Sequence, residues 1–170
     1  MKEYYTAVLR GHLDLAMAKF KAGTTGCDLD YLARKALQEI GLDYNHGTGH
    51  GVGHVLSVHE GPQRISKLPN KYKLEPGMIT SDEPGVYIEG EFGIRIENEI
   101  LCKEADGNAD ELYFEMLTLC PYEPDAIISE RLTEEERSYL NDYHKMIYSK
   151  LAPLLEPEVR NWLRKVTAPL

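Results

Sequence analysis

Residues 78–104 read MITSDEPGVYIEGEFGIRIENEILCKE, and this stretch decides the fold. Met78 to Asp82 and Gly93 to Glu104 have the apolar and β-branched content of strands, while EPGVYIEGE between them holds the Pro and Gly that interrupt one. Alternation is strict in the second segment. Ile94, Ile96, Asn98, Ile100 and Cys102 share one face, and Arg95, Glu97 and Glu99 take the other. The pattern predicts a half-buried strand that carries carboxylates on its open side. Residues 112–120, LYFEMLTLC, predict another strand.

Outward from this centre the periodicity becomes helical. Tyr5, Leu9, Leu13, Ala16 and Phe20 recur at steps of three and four and predict one helix, broken at Ala22-Gly23-Thr24-Thr25-Gly26. Asp28 is the expected N-cap of a second helix over about 29–40, with Gly41 at a left-handed C-cap. Downstream, Thr133 and Glu136 form a capping-box signature. Leu140, Tyr143, Ile147, Leu151 and Leu154 then keep helical spacing, and Pro157 opens a final short helix that carries Trp162. Helices, strands and helices in succession predict an α+β fold.

The chain has 170 residues, with 19 Lys+Arg against 28 Asp+Glu and a net charge of −9. An acidic balance of this size disfavours phosphate backbones and anionic lipid, so neither nucleic acid nor membrane is an expected partner. No apolar run reaches the roughly 18 residues of a membrane span, and no secretory leader is visible at MKEYYTAVLR. Cys27, Cys102 and Cys120 are odd in number and form no CxxC pair, which points to a reducing cytoplasm. By length alone the chain fits one ordinary domain.

Residues 46–62, HGTGHGVGHVLSVHEGP, hold four of the six histidines. His46, His50 and His54 are four apart, but the glycines between them disfavour a helix. Extended, the three histidines share one face and the glycines leave the other as bare backbone that another strand can approach. Asp82-Glu83-Pro84-Gly85 sets Glu83 at a strand end, since Pro84 favours extended geometry before it. Each feature also has a plain reading: a glycine-rich turn with surface histidines, a capped turn at Glu83, and a cross-strand salt bridge between Arg95 and Glu97.

Taken together, an imidazole and two carboxylates form an O/N donor set suited to Mn, Co, Fe or Zn. Two divalent ions would bring four positive charges against the two negative ones of Glu83 and Glu97. A shortfall of that size in a dry cleft is costly. Glu60, Asp82, Glu89, Glu91 and Glu99 do not stand out by position as the remaining carboxylates. The site is then either mononuclear or only partly supplied by these residues.

HGTGHGVGHVLSVHEGP together with DEPGVYIEGEFGIRIENEI resembles aminopeptidase P, the Xaa-Pro aminopeptidases of the pita-bread metallopeptidase superfamily, and the likeness runs from YTAVLRGHLDLA to EVRNWLRKVTAPL. It is closest to the large, multidomain, cytosolic type. The resemblance implies the C-terminal portion of a pita-bread fold, a curved antiparallel sheet with flanking helices. Residues 1–125 would form the pita-bread portion and 126–170 a helical extension. It implies two divalent metals, most often manganese, with zinc or cobalt as alternatives. His50, Glu83 and Glu97 match three of the family's five metal ligands, with Glu97 bridging. The other two are aspartates that precede the region matched here, so the isolated chain is expected to be a poor enzyme.

The resemblance further assigns His59 and Glu83 to catalysis and proton transfer, and His46, His50, His59 and Arg95 to substrate contact. His54 matches no essential position, and His12 and His144 are expected surface or packing residues. The implied substrate is a peptide with proline second, and the implied assembly a homodimer. Alternatives are a prolidase-type dipeptidase and a non-catalytic pita-bread binding module; the helices after Thr133 favour the aminopeptidase.

Overall fold

The computed structural model describes residues 1–55 and 57–170. The chain divides into two compact units, Ala7–Thr118 and a second made of Met1–Thr6 with Leu119–Leu170. Helix α1 (Lys2–Ala16) begins in the second unit and ends in the first.

In the first unit Leu9, Leu13 and Ala16 of α1 are buried as their spacing predicts, but Phe20 does not continue the helix. It sits in strand β1 (Lys19–Lys21) with both lysines exposed, and its ring packs 4.9 Å from Phe114. The spacing match at Phe20 arises because a strand residue facing the core can coincide with a helical repeat. Helix α2 spans Gly26–Gln38 and starts one turn earlier than expected. Thr25 is its N-cap, and Asp28, three residues on, accepts the Thr25 N–H at 2.8 Å. The acidic residue therefore closes a capping box rather than capping the helix itself. Gly41 adopts φ +75°, the left-handed conformation expected past the helix end.

Four strands build an antiparallel sheet in the order β1, β8 (Asn108–Met116), β7 (Asn98–Ala105), β4 (Ile79–Asp82). Ile100 and Cys102 of β7 and Leu112, Phe114 and Met116 of β8 fill the core face. Two short hairpin-like pairs flank it: β2 (Gly49–His50) with β3 (Arg64–Ile65), and β5 (Gly85–Ile88) with β6 (Phe92–Arg95). The sequence reading treated 83–91 as a separator, whereas Gly85–Ile88 forms a strand that returns through a turn at Gly90 with φ +75°. Proline-glycine at its start masked the strand signal of Val86, Tyr87 and Ile88.

The glycines of 46–53 act as the bare surface anticipated for them. Gly49 lies so near β4 that a Cβ there would stand 1.8 Å from the Ser81 carbonyl oxygen. Gly51 forms a bridge to Thr80, which ties the histidine segment to the same strand.

The second unit is helical. Helix α3 (Glu134–Leu151) carries the expected capping box, with Glu136 N–H donating to Thr133 Oγ1 at 3.1 Å and Thr133 N–H to Glu136 Oε2 at 2.6 Å. Leu140, Tyr143 and Ile147 are buried, but Leu154 is exposed because a 3-10 turn at Ala152–Leu154 rotates it off the stripe. Helix α4 (Pro157–Val166) buries Leu163 and exposes Trp162. His144 is fully buried in α3, and its Nε2 accepts the Tyr122 N–H at 3.2 Å. Burial holds its pKa down at about 4.

Two measurements test these contacts. G49A is expected to lose about 2 kcal/mol or more of stability in chemical denaturation, since backbone rather than a flexible side chain must give way. A wild-type midpoint for G49A would show that the strands can relax apart. For His144, the unfolded chain binds a proton near pH 6.5 while the folded chain does so only near 4. Its stability contribution is therefore complete above about pH 6.5 and is lost as pH falls towards 4. The melting temperature should drop between about pH 7 and pH 5, and H144Q, which can still accept the Tyr122 N–H, should reduce that slope. An unchanged slope would remove the assignment to His144.

Candidate functional site

His50, Glu83 and Glu97 converge. Each offers a ligand atom, and the three atoms lie within 4.8 Å of one another. Different elements deliver them: His50 ends β2, Glu83 follows β4, and Glu97 stands between β6 and β7. The register fixes the pairing, because Asp82 opposes Asn98 and Ser81 opposes Glu99 across the antiparallel ladder, so Glu83 and Glu97 come next on the neighbouring strands. Glu83 is held by its own N–H, which donates to Thr48 O at 2.8 Å, and by Ser81 Oγ, which donates to Oε1 at 3.0 Å. Ser81 Oγ also accepts the His50 N–H at 3.0 Å, joining the two ligand-bearing strands.

The protonation pattern of His50 follows from its neighbours. Nδ1 lies 3.0 Å from the Gly51 carbonyl oxygen, which only accepts, so the ring N–H sits on Nδ1. Nε2 then carries the lone pair and faces Glu83 Oε1 at 3.1 Å. Two lone-pair carriers this close require a cation between or beside them, a proton or a metal ion. The donor set, the fixed tautomer and the facing lone pairs fit a divalent metal.

A second chain of hydrogen bonds runs beside the first. Arg95 Nη1 lies 3.4 Å from Glu83 Oε2, while its Nε donates to the Tyr87 hydroxyl at 2.9 Å. The Tyr87 hydroxyl meets His46 Nε2 at 2.9 Å, and His46 Nδ1 meets the Gly47 carbonyl at 2.7 Å. The carbonyl again fixes the proton on Nδ1, so Tyr87 donates to Nε2. The Tyr87 ring lies over Gly85 and Gly93, where a Cβ would fall 2.7 Å from its hydroxyl and 2.9 Å from its ring edge respectively. His59 packs against His50 with ring centroids 4.4 Å apart. His46, His50, His59, Glu83 and Arg95 line one cavity of about 440 Å³, together with Arg64, Ser66 and Leu68.

Of the residues singled out in the sequence, His46, His50, His59, Glu83, Glu97 and Arg95 thus gather in one region, and His54 does not line the cavity. His12 and Asp82 lie fully buried behind Glu83, with His12 Nδ1 3.1 Å from Asp82 O and 3.2 Å from its Oδ2. Burial raises the Asp82 carboxyl's pKa against the opposing influence of His12.

Three participants escaped the sequence reading. Ser81 was an ordinary strand residue by pattern and Tyr87 lay in the stretch read as a separator; only alternation with Glu83 could have pointed to Ser81. Glu99 was discounted, yet it shares the face of Glu97. Burial first, then the charge of Glu97, raises its pKa, and its Oε2 is buried without a hydrogen-bond partner among the described residues.

The chain as a whole is similar to known proteins. Residues 1–104 match metallopeptidase family M24, and residues 111–170 match the C-terminal region of peptidase M24. Aminopeptidase P1 of Arabidopsis thaliana is 45% identical over 99% of this chain, and Xaa-Pro aminopeptidase 1 of Dictyostelium discoideum is 45% identical over 98%. Among solved structures, the X-prolyl aminopeptidase of Caenorhabditis elegans, described as a cytosolic enzyme with a di-nuclear active site, superposes with a TM-score of 0.91 at 40% identity over 98% of this chain. The prolidase of Pyrococcus furiosus superposes with a TM-score of 0.55 at 36% identity and covers 66%. The chain spans 27 to 28% of the length of these aminopeptidase relatives. Its antiparallel sheets and flanking helices are those of the pita-bread metallopeptidase fold, and the chain belongs to metallopeptidase family M24.

Proposed function

We propose that this chain supplies part of the active site of an aminopeptidase that removes an N-terminal residue preceding a proline. The observation that carries the proposal is the convergence of His50, Glu83 and Glu97 within 4.8 Å, with His50 Nε2 only 3.1 Å from Glu83 Oε1. His50 Nε2, Glu83 and Glu97 would hold the metal. The charge count calls for further carboxylates from chain outside these 170 residues, the family's two aspartates. Manganese suits this oxygen-rich donor set, and zinc or cobalt are compatible with the imidazole. When bound, such ions acidify water and polarise a carbonyl group.

The chain's own groups then have separable tasks. Glu83 takes the proton of the attacking water as oxygen adds to the scissile carbonyl carbon, and Arg95 beside Oε2 stabilises its charged form. The C–N bond breaks next. The proline nitrogen is tertiary in the peptide, so it leaves well only when protonated. His59 has no hydrogen-bond partner among the described residues and lines the cavity, which frees it to pass that proton. His46, fixed by Gly47 and Tyr87, lines the wall that the substrate meets, where its partner hydroxyl can turn towards a developing oxyanion. We further propose a cytoplasmic location and a homodimer for the full-length protein. Among the described residues no helix is long and apolar enough to cross a membrane.

A prolidase-type dipeptidase is the second reading, supported by the prolidase superposition. Substrate length separates the two. The Mn²⁺-loaded full-length protein should cleave tripeptides and longer peptides with proline second and spare the same peptides with alanine there; cleavage confined to dipeptides would favour prolidase. E83Q should lower kcat by roughly 10²- to 10⁴-fold. In the 170-residue chain, calorimetric titration should show H50A and E97Q weakening Mn²⁺ binding. Peptide cleavage by the isolated chain at the full-length rate would contradict the charge count.

A further inference from the structure

The mechanism leaves one buried cation unexplained. Arg34 in α2 is 2% exposed, and no proposed step uses it. Its Nε lies 2.6 Å from Asp30 Oδ2, one turn back on the same helix, and its Nη1 donates to Asp43 Oδ1 at 2.8 Å. These two carboxylates settle its charge. The remaining donors go to backbone that leads into the site. Nη1 also donates to Tyr44 O at 2.7 Å, and Nη2 donates to His46 O at 2.9 Å. The guanidinium thus grips alternate carbonyls of the segment that carries the histidines.

A stack of side chains provides a second handle. The Arg34 guanidinium lies 3.8 Å from the Tyr44 ring centroid, and the Tyr44 ring lies 4.7 Å from that of His46 at 30°. His46 in turn meets Tyr87 edge-on at 5.5 Å. Helix α2 also reaches Glu83 along a separate branch. Asp30 Oδ1 accepts the Thr48 hydroxyl at 2.6 Å, and Thr48 O accepts the Glu83 N–H at 2.8 Å. A merely structural ion pair would need only Asp30 and Asp43; one carbonyl bond holds His46 directly, and the other, with the stack, acts on it through Tyr44.

We infer that Arg34 is a positioning residue for His46: it holds the His46 backbone and, through Tyr44, the plane of its imidazole, so that the ring keeps its proton on Nδ1 towards Gly47 and offers Nε2 to Tyr87. Lysine cannot replace it, because a single ammonium cannot span Asp30, Tyr44 O and His46 O or cover the Tyr44 ring in the same way. The functional half of this inference rests on the reading of His46 as a residue at the substrate wall.

The test is long-range ¹H–¹⁵N NMR of the histidine rings in the full 170-residue chain, at a pH where imidazoles are neutral. Wild type should show His46 as one tautomer with the proton on Nδ1, and R34K should lose that single-tautomer signature while the buried His12 keeps its signals. Should R34K not fold, T48V gives a second arm; the Thr48 Oγ1 lies 2.6 Å from the Tyr44 hydroxyl as well as bonding Asp30, and valine keeps the shape but severs both bonds, so partial loss of the same signature is expected. Folded R34K or T48V with an unchanged His46 spectrum would overturn the inference, as would a mixed tautomer in wild type. Adding the peptide Ala-Pro-Ala to wild type should shift the His46 signals. If the peptide shifts nothing while R34K still frees the ring, the substrate-side role fails and positioning alone survives.

Discussion

The site depends on one backbone contact, the approach of Gly49 to the carbonyl of Ser81. No side chain fits between them, since a Cβ would stand 1.8 Å from that oxygen. Because β2 can press this closely on β4, the His50 N–H reaches Ser81 Oγ, and the same hydroxyl reaches Glu83. One serine thereby sets the distance between an imidazole and a carboxylate that come from segments about thirty residues apart. The antiparallel register of β4 and β7 brings in Glu97 without further adjustment, because residues flanking the Asp82–Asn98 pair must continue side by side.

The electrostatics follow from that geometry. Glu83, Glu97 and Glu99 are concentrated in one region of a chain whose net charge is already −9. Among the described residues, Glu83 pairs with His50 and Arg95 alone, and neither forms an ion pair with Glu99. Burial first, and then the charge of Glu97, raises the pKa of Glu99. A divalent cation held among these carboxylates would relieve their mutual repulsion. Behind the site lie two buried polar pairs, Asp30–Arg34 and His12–Asp82.

Much of the fold was legible. The α3 capping box and the Gly41 helix end are local signals, set by a few neighbouring dihedrals. The faces of the alternating 94–102 stretch are as expected, although the one strand expected there is two: β6 and β7 end and begin on either side of Ile96 and Glu97 and pair in different sheets. The errors were local as well. Phe20 matched a helical repeat from within a strand, and Leu154 matched one from within a 3-10 turn, because spacing cannot register a change of backbone geometry between two apolar residues. The strand at Gly85–Ile88 was hidden because its start coincides with the Pro-Gly that ends the preceding strand.

For the site, the sequence by itself determined the donor types, their order and the strand faces that carry Glu97 and Arg95. It also exposed the charge shortfall, since counting ligands needs no coordinates. The tertiary structure decided which donors meet. His46, His50 and His59 gather at one cavity while His54 does not, and Tyr87 and Ser81 join although nothing in their local pattern marks them. The same holds for Arg34, which reads as an ordinary helical arginine until its partners are known. Residue chemistry is carried by the chain at every position, but hydrogen-bond partners, tautomers and the closeness of like charges are properties of pairs, and pairs far apart in sequence exist only once the strands have docked.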